Sequence, residues 1–563
     1  MQNPQWTTHC GEHLVDLQSP PLAQRTGDLA VGGGRGDERW ETTGHLLSDA
    51  ATQWGERTAI VDVDRSLTYS QLAADAEKVS AALLQRGVET GDVVAVWAPN
   101  SWRWVVFALG AQMAGAAIVP LNTRYRGREV AHILGTTRPK ALFVHQGFLD
   151  NDYLGMLRSE GIGAETVPTI VTTGADAGLP WGEFVEGGGA DPGVARRLSS
   201  LQGWTVSDVM FTSGTTGIPK GVITTHAQNL RGYYDWSRLA GFKSAERYAI
   251  VNPFFHAFGY KAGWLVSLMH GLTIYPHRVL NADSLLEQIE DARIQVLPGP
   301  PALYATLLAS PQMAQRDLSS LRLAITGAAS IPPVLIRRLF SDFGFERVST
   351  CYGMTECAAV ATVSRSDDKI EILTTTSGRA VPGVEVEVMT DDGVAAAPGA
   401  LGEVWIRGYN VMQGYLDAPE ETAARIDPAG WLHTGDIGRL DEQGNLAVVD
   451  RKGDMFIVGG FYAYPAEIEA LLADNPTVGE VAVIGVPDER LGEVGAAFVV
   501  AAANSTPEPE DLISWARERL ANFKVPRVVW VVEALPRNAT GKVLKGDLRK
   551  LADGLSGGFP GPS

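Results

Sequence analysis

The sequence predicts an α/β protein: a large N-terminal region of two α/β subdomains plus a small β-rich subdomain, followed by a small α+β C-terminal region. Over residues 43–144, and again over 248–326, helical periods alternate with short apolar strands, which is typical of parallel sheets joined by crossover helices. Over residues 383–450, short strands separated by Gly and Asp turns indicate the β-rich subdomain. A chain of 563 residues is too long for one core, so several domains are expected.

The individual elements follow the same patterns in chain order. An amphipathic helix opens near Leu67 and runs to about Arg86, and a second helix begins at Ser101. Residues 147–200 are Gly-rich and reveal no chemistry. The remaining predicted elements are strands at 92–97, 117–120, 141–144, 248–251, 272–275, 295–297, 321–326, 384–388, 403–406, 446–449, 455–458, 481–484, 496–500 and 528–532, and helices at 129–136, 465–474 and 509–521.

Composition excludes several classes of function. The net charge of −18 argues against a nucleic-acid binder, which needs a basic surface. The cysteines, Cys10, Cys351 and Cys357, form neither a disulfide framework nor a zinc spacing, so we expect a reducing, cytoplasmic environment. No signal peptide is recognisable, and the longest apolar run, at about 105–121, is too short and too interrupted to span a membrane.

The stretch 209–222 indicates a phosphate-binding loop. An apolar strand at 209–211 leads into a loop of hydroxyl residues and glycines, 212–217, and Lys220 then precedes a returning strand at 221–224. Such a loop can turn backbone N–H groups and hydroxyls toward an anion, glycines permit close approach, and the lysine adds positive charge. It is not a Walker A loop, because Pro219 precedes the lysine and a strand rather than a helix follows. The alternative is an ordinary solvated turn.

Three later segments offer partners for a nucleotide. In residues 352–356, a tyrosine could stack on a base and Glu356 could hold Mg²⁺. Asp436 follows a glycine after a probable strand and suits a ribose diol, and Arg451 could contact the same ribose or a phosphate. Lys542 lies on a loop bracketed by Pro and Gly and could neutralise a developing anion. Taken singly, each could be a turn residue or a solvated charge.

Taken together and in this order, these segments resemble the adenylate-forming superfamily, which includes acyl-CoA synthetases, firefly-type luciferases and the adenylation domains of peptide synthetases. The resemblance runs from about residue 45 to residue 550. It implies ATP or AMP contacts at Thr212, Ser213, Gly214, Thr215, Thr216, Gly217, Lys220, Gly327, Ala328, Ala329, Cys351, Tyr352, Gly353, Thr355, Asp436 and Arg451.

The resemblance also implies a two-step reaction with ATP, Mg²⁺ and CoA. A carboxylate attacks the α-phosphate to form an acyl-adenylate, and a thiol then displaces AMP. Lys542, Glu356, Thr212 and Lys220 are the implied catalytic residues, and Glu356 and Thr212 the implied metal ligands. The C-terminal domain would rotate about a hinge at Gly453 between the steps. The implied CoA contacts are Lys452, Gly459, Gly460 and Phe461.

This organisation gives the expected domain boundaries. We expect a disordered leader over residues 1–40 and an N-terminal domain over 41–451, with the β-rich subdomain at about 380–450. A hinge at 452–455 would lead to a C-terminal lid domain over 456–552 and a tail over 553–563. The oligomeric state is left open between monomer and homodimer.

The acid substrate is expected to be bulky and apolar. No carrier-protein attachment motif follows Lys542, which favours a free-standing CoA ligase over a peptide-synthetase module. The segments near 252–263 and 459–468 are most similar to those of actinobacterial ligases for steroid-ring or terpenoid-type acids. Medium- or long-chain fatty acids and aryl acids are the alternatives, and His256 could gate the pocket or be a core histidine. The implied acyl contacts are Phe255, His256, Phe258, Gly259, Tyr260, Pro300 and Ala328.

Two departures from the family pattern concern the second step. Gly453 occupies the hinge position where the family usually has Asp or Lys, and Tyr462 stands where it usually has Asn. They raise a rival hypothesis, in which the enzyme mainly transfers a supplied acyl-adenylate to CoA and adenylates weakly or not at all. A third hypothesis is a non-catalytic nucleotide-binding regulator.

Overall fold

The structure is a computed structural model that describes residues 39–174, 177–213, 219–327, 331–458, 461–488, 490–538 and 542–556. Nearly all of the expected leader lies outside these ranges. Within them, the predicted fold class is confirmed: two mixed α/β sheets and a small antiparallel sheet precede a C-terminal α+β unit. None of the helices in these ranges combines the length and apolar character that a membrane crossing requires.

The first sheet has eight strands and carries the phosphate loop near one edge. Its inner strands are parallel, and Val93–Trp97 is buried along its whole length because helices cover both faces. Only the two edge pairings beyond Val206–Ser213 are antiparallel. In spatial order, the strands are Gly414–Tyr415, Pro219–Thr225, Val206–Ser213, Ala117–Pro120, Val93–Trp97, Ala141–His145, Thr169–Thr173 and Leu179–Pro180.

The second sheet has nine strands, parallel in the middle and antiparallel at both ends. Gly327 follows one central strand, and Tyr352 ends the parallel strand beside it. Both positions therefore lie at the carboxyl ends of the parallel strands. In spatial order, the strands are Arg379–Ala380, Thr362–Val363, Arg347–Tyr352, Leu323–Thr326, Val296–Pro298, Arg247–Ile250, Thr273–Pro276, Thr58–Val61 and Ser66–Thr68.

The predicted β-rich region forms a four-stranded antiparallel sheet. Buried and partly exposed residues alternate along its first strand, as expected where one face packs on a core. In spatial order, the strands are Val384–Met389, Gly402–Gly408, Leu432–Leu440 and Leu446–Arg451.

The C-terminal unit is a five-stranded sheet with its own core. Its last helix, Lys545–Ser556, extends into the stretch expected as a tail, because Leu548 and Ala552 on one face of that helix are buried against the sheet. Its strands are Phe456–Val458, Phe461–Ala463, Val478–Asp488, Gly492–Ala501 and Val528–Val531.

Helix boundaries follow capping residues. The helix expected from Leu67 begins at Tyr69, because Ser66–Thr68 pairs as a strand and Thr68 forms a capping box with Gln71. Ser101 caps the next helix as expected. The α-helices are Thr43–Trp54, Tyr69–Gln85, Trp102–Met113, Gly127–Thr137, Tyr153–Ser159, Trp181–Glu186, Pro192–Ser200, His226–Ala240, Ala257–Gly259, Val266–His270, Ala282–Asp291, Pro301–Ala309, Pro333–Ser341, Ile370–Thr375, Pro419–Arg425, Pro465–Ala473, Pro509–Arg517 and Lys545–Ser556, with a π-helix at Tyr260–Leu265 and 3-10 turns at Phe148–Asp150, Met313–Gln315, Thr355–Cys357 and Asn522–Lys524.

Candidate active site

The phosphate loop joins two antiparallel strands, Val206–Ser213 and Pro219–Thr225, which we call the phosphate hairpin. Thr212 pairs directly with Lys220, so both flank the mouth of the loop. The predicted phosphate contacts inside the loop, Gly214, Thr215, Thr216 and Gly217, and the side chain of Ser213 lie outside the described residues.

Glu356 is held by a tyrosine that the sequence did not single out. Glu356 lies on a 3-10 turn and is 7% exposed, and its Oε1 accepts a hydrogen bond of 2.9 Å from the Tyr415 hydroxyl. Tyr415 belongs to the short edge strand that pairs with the phosphate hairpin, and the Lys220 Nζ lies 5.4 Å from the centre of its ring. Burial and the neighbouring carboxylate raise the pKa of Tyr415, so the hydroxyl stays protonated and donates. The predicted metal ligand is therefore tied to the phosphate hairpin.

Close backbone contacts shape the segment around Tyr352. A Cβ on Gly353 would lie 2.4 Å from the carbonyl of Ala359, so only glycine lets the chain fold back here. Cys351 lies beside Gly327, whose added Cβ would meet the Cys351 Sγ at 3.0 Å. Burial raises the pKa of the Cys351 thiol to about 12, which makes it a poor nucleophile. Thr355 opens the turn that carries Glu356, and Ala328 and Ala329 lie outside the described residues.

Asp436 and Arg451, which we call the ribose pair, face each other on neighbouring strands. The Arg451 Nε lies 3.2 Å from the Asp436 Oδ1, and the Tyr352 hydroxyl donates to the Asp436 Oδ2 at 2.6 Å. Burial and the adjacent carboxylate raise the pKa of Tyr352, which keeps its proton. Three residues predicted separately from the sequence thus meet around one carboxylate.

Lys542 lies near the ribose pair. The Asn538 N–H donates to the Lys542 carbonyl and the Lys542 N–H donates to the Asn538 Oδ1, both at 2.9 Å. Its side chain is exposed, yet desolvation by surrounding protein lowers the pKa of Lys542, and the Arg451 guanidinium lowers it further, while Asp436 opposes this. The C-terminal lysine therefore lies within electrostatic reach of the ribose pair.

The predicted hinge region directly follows the strand Leu446–Arg451. The Lys452 Nζ donates to Glu403 at 3.1 Å, so in this structure the lysine binds a carboxylate of the β-rich sheet. The Asp450 Oδ2 accepts from the N–H of Ala466, at the start of a C-terminal helix, at 2.9 Å. Among the described residues, no atom beyond its two chain neighbours lies within 4 Å of a Cβ built on Gly453. Gly459, Gly460 and the side chains of Phe461 and Tyr462 lie outside the described residues.

His256 lies within the predicted acid-binding segment and caps the short helix Ala257–Gly259. Its Nδ1 accepts from the Phe258 N–H at 3.2 Å, and desolvation lowers the pKa of His256 to about 4. The imidazole is therefore neutral at pH 7 with its proton on Nε2. A Cβ on Gly259 would lie 2.2 Å from the Pro253 carbonyl oxygen, so this turn requires glycine.

The other predicted acid-pocket residues differ in exposure. Phe255 and Phe258 are half-buried, and Pro300 precedes the helix Pro301–Ala309. Tyr260 is fully buried, and its ring stacks on Trp264 with centroids 4.7 Å apart. The structure gives Tyr260 a packing role, and its contact with the acid stays a prediction.

Comparison with known proteins gives the family. The family model described as AMP-binding enzyme matches residues 47–416, and that of the AMP-binding enzyme C-terminal domain matches 467–542. The chain belongs to the AMP-binding enzyme family. The predicted membership of the adenylate-forming superfamily is confirmed, and with it the assignment as a ligase of the acyl-CoA synthetase type.

Two relatives and two solved structures cover nearly the whole chain. A "3-[(3aS,4S,7aS)-7a-methyl-1,5-dioxo-octahydro-1H-inden-4-yl]propanoyl:CoA ligase" of Rhodococcus jostii is 46% identical, over 91% of this chain and 99% of the relative. A ligase of the same name from Mycobacterium tuberculosis is 46% identical, over 90% of this chain and 98% of the relative. The AMP-binding enzyme resembles the structure of the anthranilate CoA ligase AuaEII in complex with anthranoyl-AMP. The identity is 26% and the TM-score 0.84, over 92% of this chain and 99% of AuaEII. It also resembles ATP-bound MatB from Rhodopseudomonas palustris, with 27% sequence identity and a TM-score of 0.80, over 91% of this chain and 99% of MatB.

Proposed function

We propose that this enzyme activates a bulky, apolar, polycyclic carboxylic acid with ATP and transfers the acyl group to CoA, releasing pyrophosphate and AMP. The observation that carries the proposal is the meeting of Tyr352 and Arg451 around the Asp436 carboxylate, with Lys542 close enough for its charge to be affected by Arg451 and Asp436. A nucleotide bound there would have its ribose on Asp436 and its phosphates between the hairpin and Lys542.

In the first step, a carboxylate oxygen of the acid attacks the α-phosphorus of ATP and the bond to pyrophosphate breaks. Protonated Lys542 would neutralise negative charge that develops between the acid and the phosphate. His256, neutral with its Nε2 proton available, could donate to the carboxylate or gate its entry. In the second step, the CoA sulfur attacks the acyl carbon, AMP leaves, and the thiol proton goes to solvent.

Glu356 fits a role in holding Mg²⁺, with Thr212 as the second proposed protein ligand. The Glu356 carboxylate is nearly buried, and only its Oε1 carries the Tyr415 hydrogen bond. Among the described residues, no group of three or more His, Cys, Asp or Glu side chains could hold a metal. Mg²⁺ commonly binds through one or two carboxylates plus substrate phosphates and water, which suits this donor set. When bound, the ion would neutralise phosphate charge.

For the second step we propose an N-terminal domain over 41–451, a hinge over 452–455 and a C-terminal lid domain over 456–552. Glycine at 453 supports a hinge there, because a residue without a Cβ has wide backbone freedom. Among the described residues, no atom beyond its chain neighbours lies within 4 Å of the position that a Cβ would take. Lys452 and residues 459–461 are the proposed CoA contacts. Lys452 would have to leave Glu403 when the domain rotates.

The acid is proposed by similarity to relatives. Both relatives at 46% identity are named for a propanoyl chain on a two-ring diketone, whereas a medium-chain acyl-CoA ligase of Mus musculus is 30% identical. A polycyclic propanoate is therefore favoured over linear fatty acids. Phe255 and Phe258, both half-buried, are the proposed apolar contacts.

The test supplies ATP, Mg²⁺ and CoA with a panel of polycyclic, linear and aryl acids, and separately supplies synthetic acyl-adenylates with CoA. We expect ATP-dependent thioester formation with highest kcat/KM for a polycyclic propanoate. Thioester formation from the adenylates alone would instead support the rival acyl-transfer hypothesis.

Lys542→Ala should reduce adenylation by about 10²–10³-fold, the usual effect of losing one group that stabilises developing charge, and should reduce thioester formation far less. The matched control is Lys550→Ala, on the last helix, where the lysine is exposed and pairs with Asp547. Equal loss of both half-reactions in Lys542→Ala would contradict the assigned role.

A further inference from the structure

Two opposite charges are completely buried behind the candidate site. Asp208 and Lys261 are 0% and 1% exposed, and the Lys261 Nζ lies 3.0 Å from the Asp208 Oδ1. Taking both charges out of water is costly, and apolar residues of similar volume often stabilise a fold as well or better. A buried pair at this position therefore calls for an explanation other than stability.

The pair joins the two segments that would carry the two reacting substrates. Asp208 lies on the phosphate hairpin, four residues before Thr212. Lys261 lies on the π-helix Tyr260–Leu265, directly after residues 253–259, which we call the acid turn. Thr224 on the returning strand donates to the Asp208 Oδ1 at 2.8 Å and accepts from the Lys261 Nζ at 3.0 Å. One lysine thus contacts both strands of the hairpin.

The other carboxylate oxygen is also fixed. The Asp208 Oδ2 accepts from the Ser207 hydroxyl and the Asn229 amide, both at 2.7 Å, and from the Tyr260 hydroxyl at 3.4 Å. Asn229 lies on the helix that follows the hairpin, and Tyr260 begins the π-helix. A buried polar network with this many bonds is rigid and allows one arrangement of the elements it joins. Short π-helical segments frequently occur at functional sites.

We propose that Asp208 and Lys261 are positioning residues that set the distance between the acid turn and the phosphate hairpin, and so hold the acid's carboxylate in line with the α-phosphate of ATP. This rests on the proposed function. Because neither side chain is exposed, neither touches substrate, and both act through the segments they join.

The proposal predicts a selective kinetic defect. Before adenylation, acid and ATP are separate molecules, so their approach depends on the protein, and a misplacement of about 1 Å can cost about 10²-fold in rate. After adenylation, acid and phosphate are covalently joined, so the thioester step depends much less on this distance. Each substrate still has its own contacts, so kcat of adenylation should fall while both KM values change little.

The test is Lys261→Met, with Arg322→Met as the matched control. Arg322 and Glu246 form another buried ion pair, 8% and 3% exposed, with the Arg322 Nη2 2.8 Å from the Glu246 Oε2, next to strands of the second sheet. Both variants lose one partner of a buried pair, so both should lower Tm. Only Lys261→Met should lower kcat of adenylation, by about 10- to 100-fold, with less than about threefold change in KM and in thioester formation from a synthetic adenylate.

Should Lys261→Met not fold, the double variant Asp208→Asn/Lys261→Met removes the uncompensated charge and provides the same readouts. Three results would each overturn this inference while leaving the proposed function intact. They are a wild-type kcat of adenylation in a folded variant, equal losses in both half-reactions, and the same loss of kcat in Arg322→Met. Absence of adenylation by the unaltered enzyme would overturn the proposed function, and the inference with it, since no adenylation step would remain to position.

Discussion

Replacing Tyr415 by phenylalanine removes one hydroxyl group and tests whether that group prepares Glu356 for Mg·ATP. The hydroxyl donates to Glu356 at 2.9 Å, and the carboxylate is 7% exposed, so water can replace the lost bond only in part. Phenylalanine keeps the aromatic ring 5.4 Å from the Lys220 Nζ, and the change is therefore confined to the hydrogen bond.

The magnitude follows from the charge of the acceptor. A hydrogen bond to an ionised group contributes about 1.5–3 kcal/mol. At 1.4 kcal/mol per tenfold, this corresponds to a loss of about 10- to 150-fold in kcat/KM for Mg·ATP. The acid contacts other elements, so its KM should change less than about twofold.

The assay is acid-dependent pyrophosphate release as a function of ATP concentration at several fixed Mg²⁺ concentrations. Tyr153→Phe is the control, since the Tyr153 hydroxyl is also buried and donates to the Thr123 carbonyl at 2.8 Å, away from Glu356. It should cost about 0.5–1.5 kcal/mol of stability and leave the kinetics unchanged. Wild-type dependence on Mg²⁺ and ATP in Tyr415→Phe would refute the reasoning.

Three further predictions concern the ribose pair and the C-terminal region. Tyr352→Phe removes the 2.6 Å bond to Asp436 and should raise KM for ATP about tenfold, since a bond to a carboxylate is worth at least about 1.5 kcal/mol; an unchanged KM would contradict this. The pKa of Lys542 lies below its ordinary 10.5, so the side chain loses its charge as pH rises through the lowered value. The adenylation rate should therefore begin to decline below pH 10.5. In a pH–rate profile, Lys542→Arg should shift that decline to higher pH. A Cβ built on Gly453 meets no described atom within 4 Å, so Gly453→Asp should change stability by less than about 0.5 kcal/mol. It should alter the ratio of the two half-reaction rates, and an unchanged ratio would argue against the hinge.

Features of the site that depend on local sequence could be predicted. The phosphate hairpin follows from an apolar strand, a glycine-rich loop and a returning strand within about fifteen residues. Asp436 and Arg451 lie on consecutive strands joined by a short turn, and antiparallel pairing brings them opposite each other. In both cases the two strands are close together in the sequence, so the spacing of the residues predicts which of them lie side by side.

Contacts between distant segments could not be predicted in this way. Tyr415 is 59 residues from Glu356 and lies on a two-residue edge strand, too short to produce a periodic signal. Tyr260 was grouped with the acid-pocket aromatics, but sequence alone does not reveal the π-helix that starts there, which changes the direction of each following side chain.

The sequence itself contains an indication of the Asp208–Lys261 pair. A lysine within the aromatic run 254–264 and an aspartate heading the apolar strand 209–211 are both out of place as solvated charges. Two such residues of opposite sign in segments expected to be buried predict each other as partners.

The strand pairing of Asp436 with Arg451 also limits how such enzymes can be recombined. Because Arg451 is the last residue of its strand, a graft that exchanged the C-terminal region before this position would import a foreign strand and shift one half of the nucleotide contact against the other. A junction at Gly453 would leave both strands with their native partner and fall at a residue where an added Cβ would meet no described atom within 4 Å. Gly453, two residues after Arg451, is therefore the best junction for exchanging the C-terminal region.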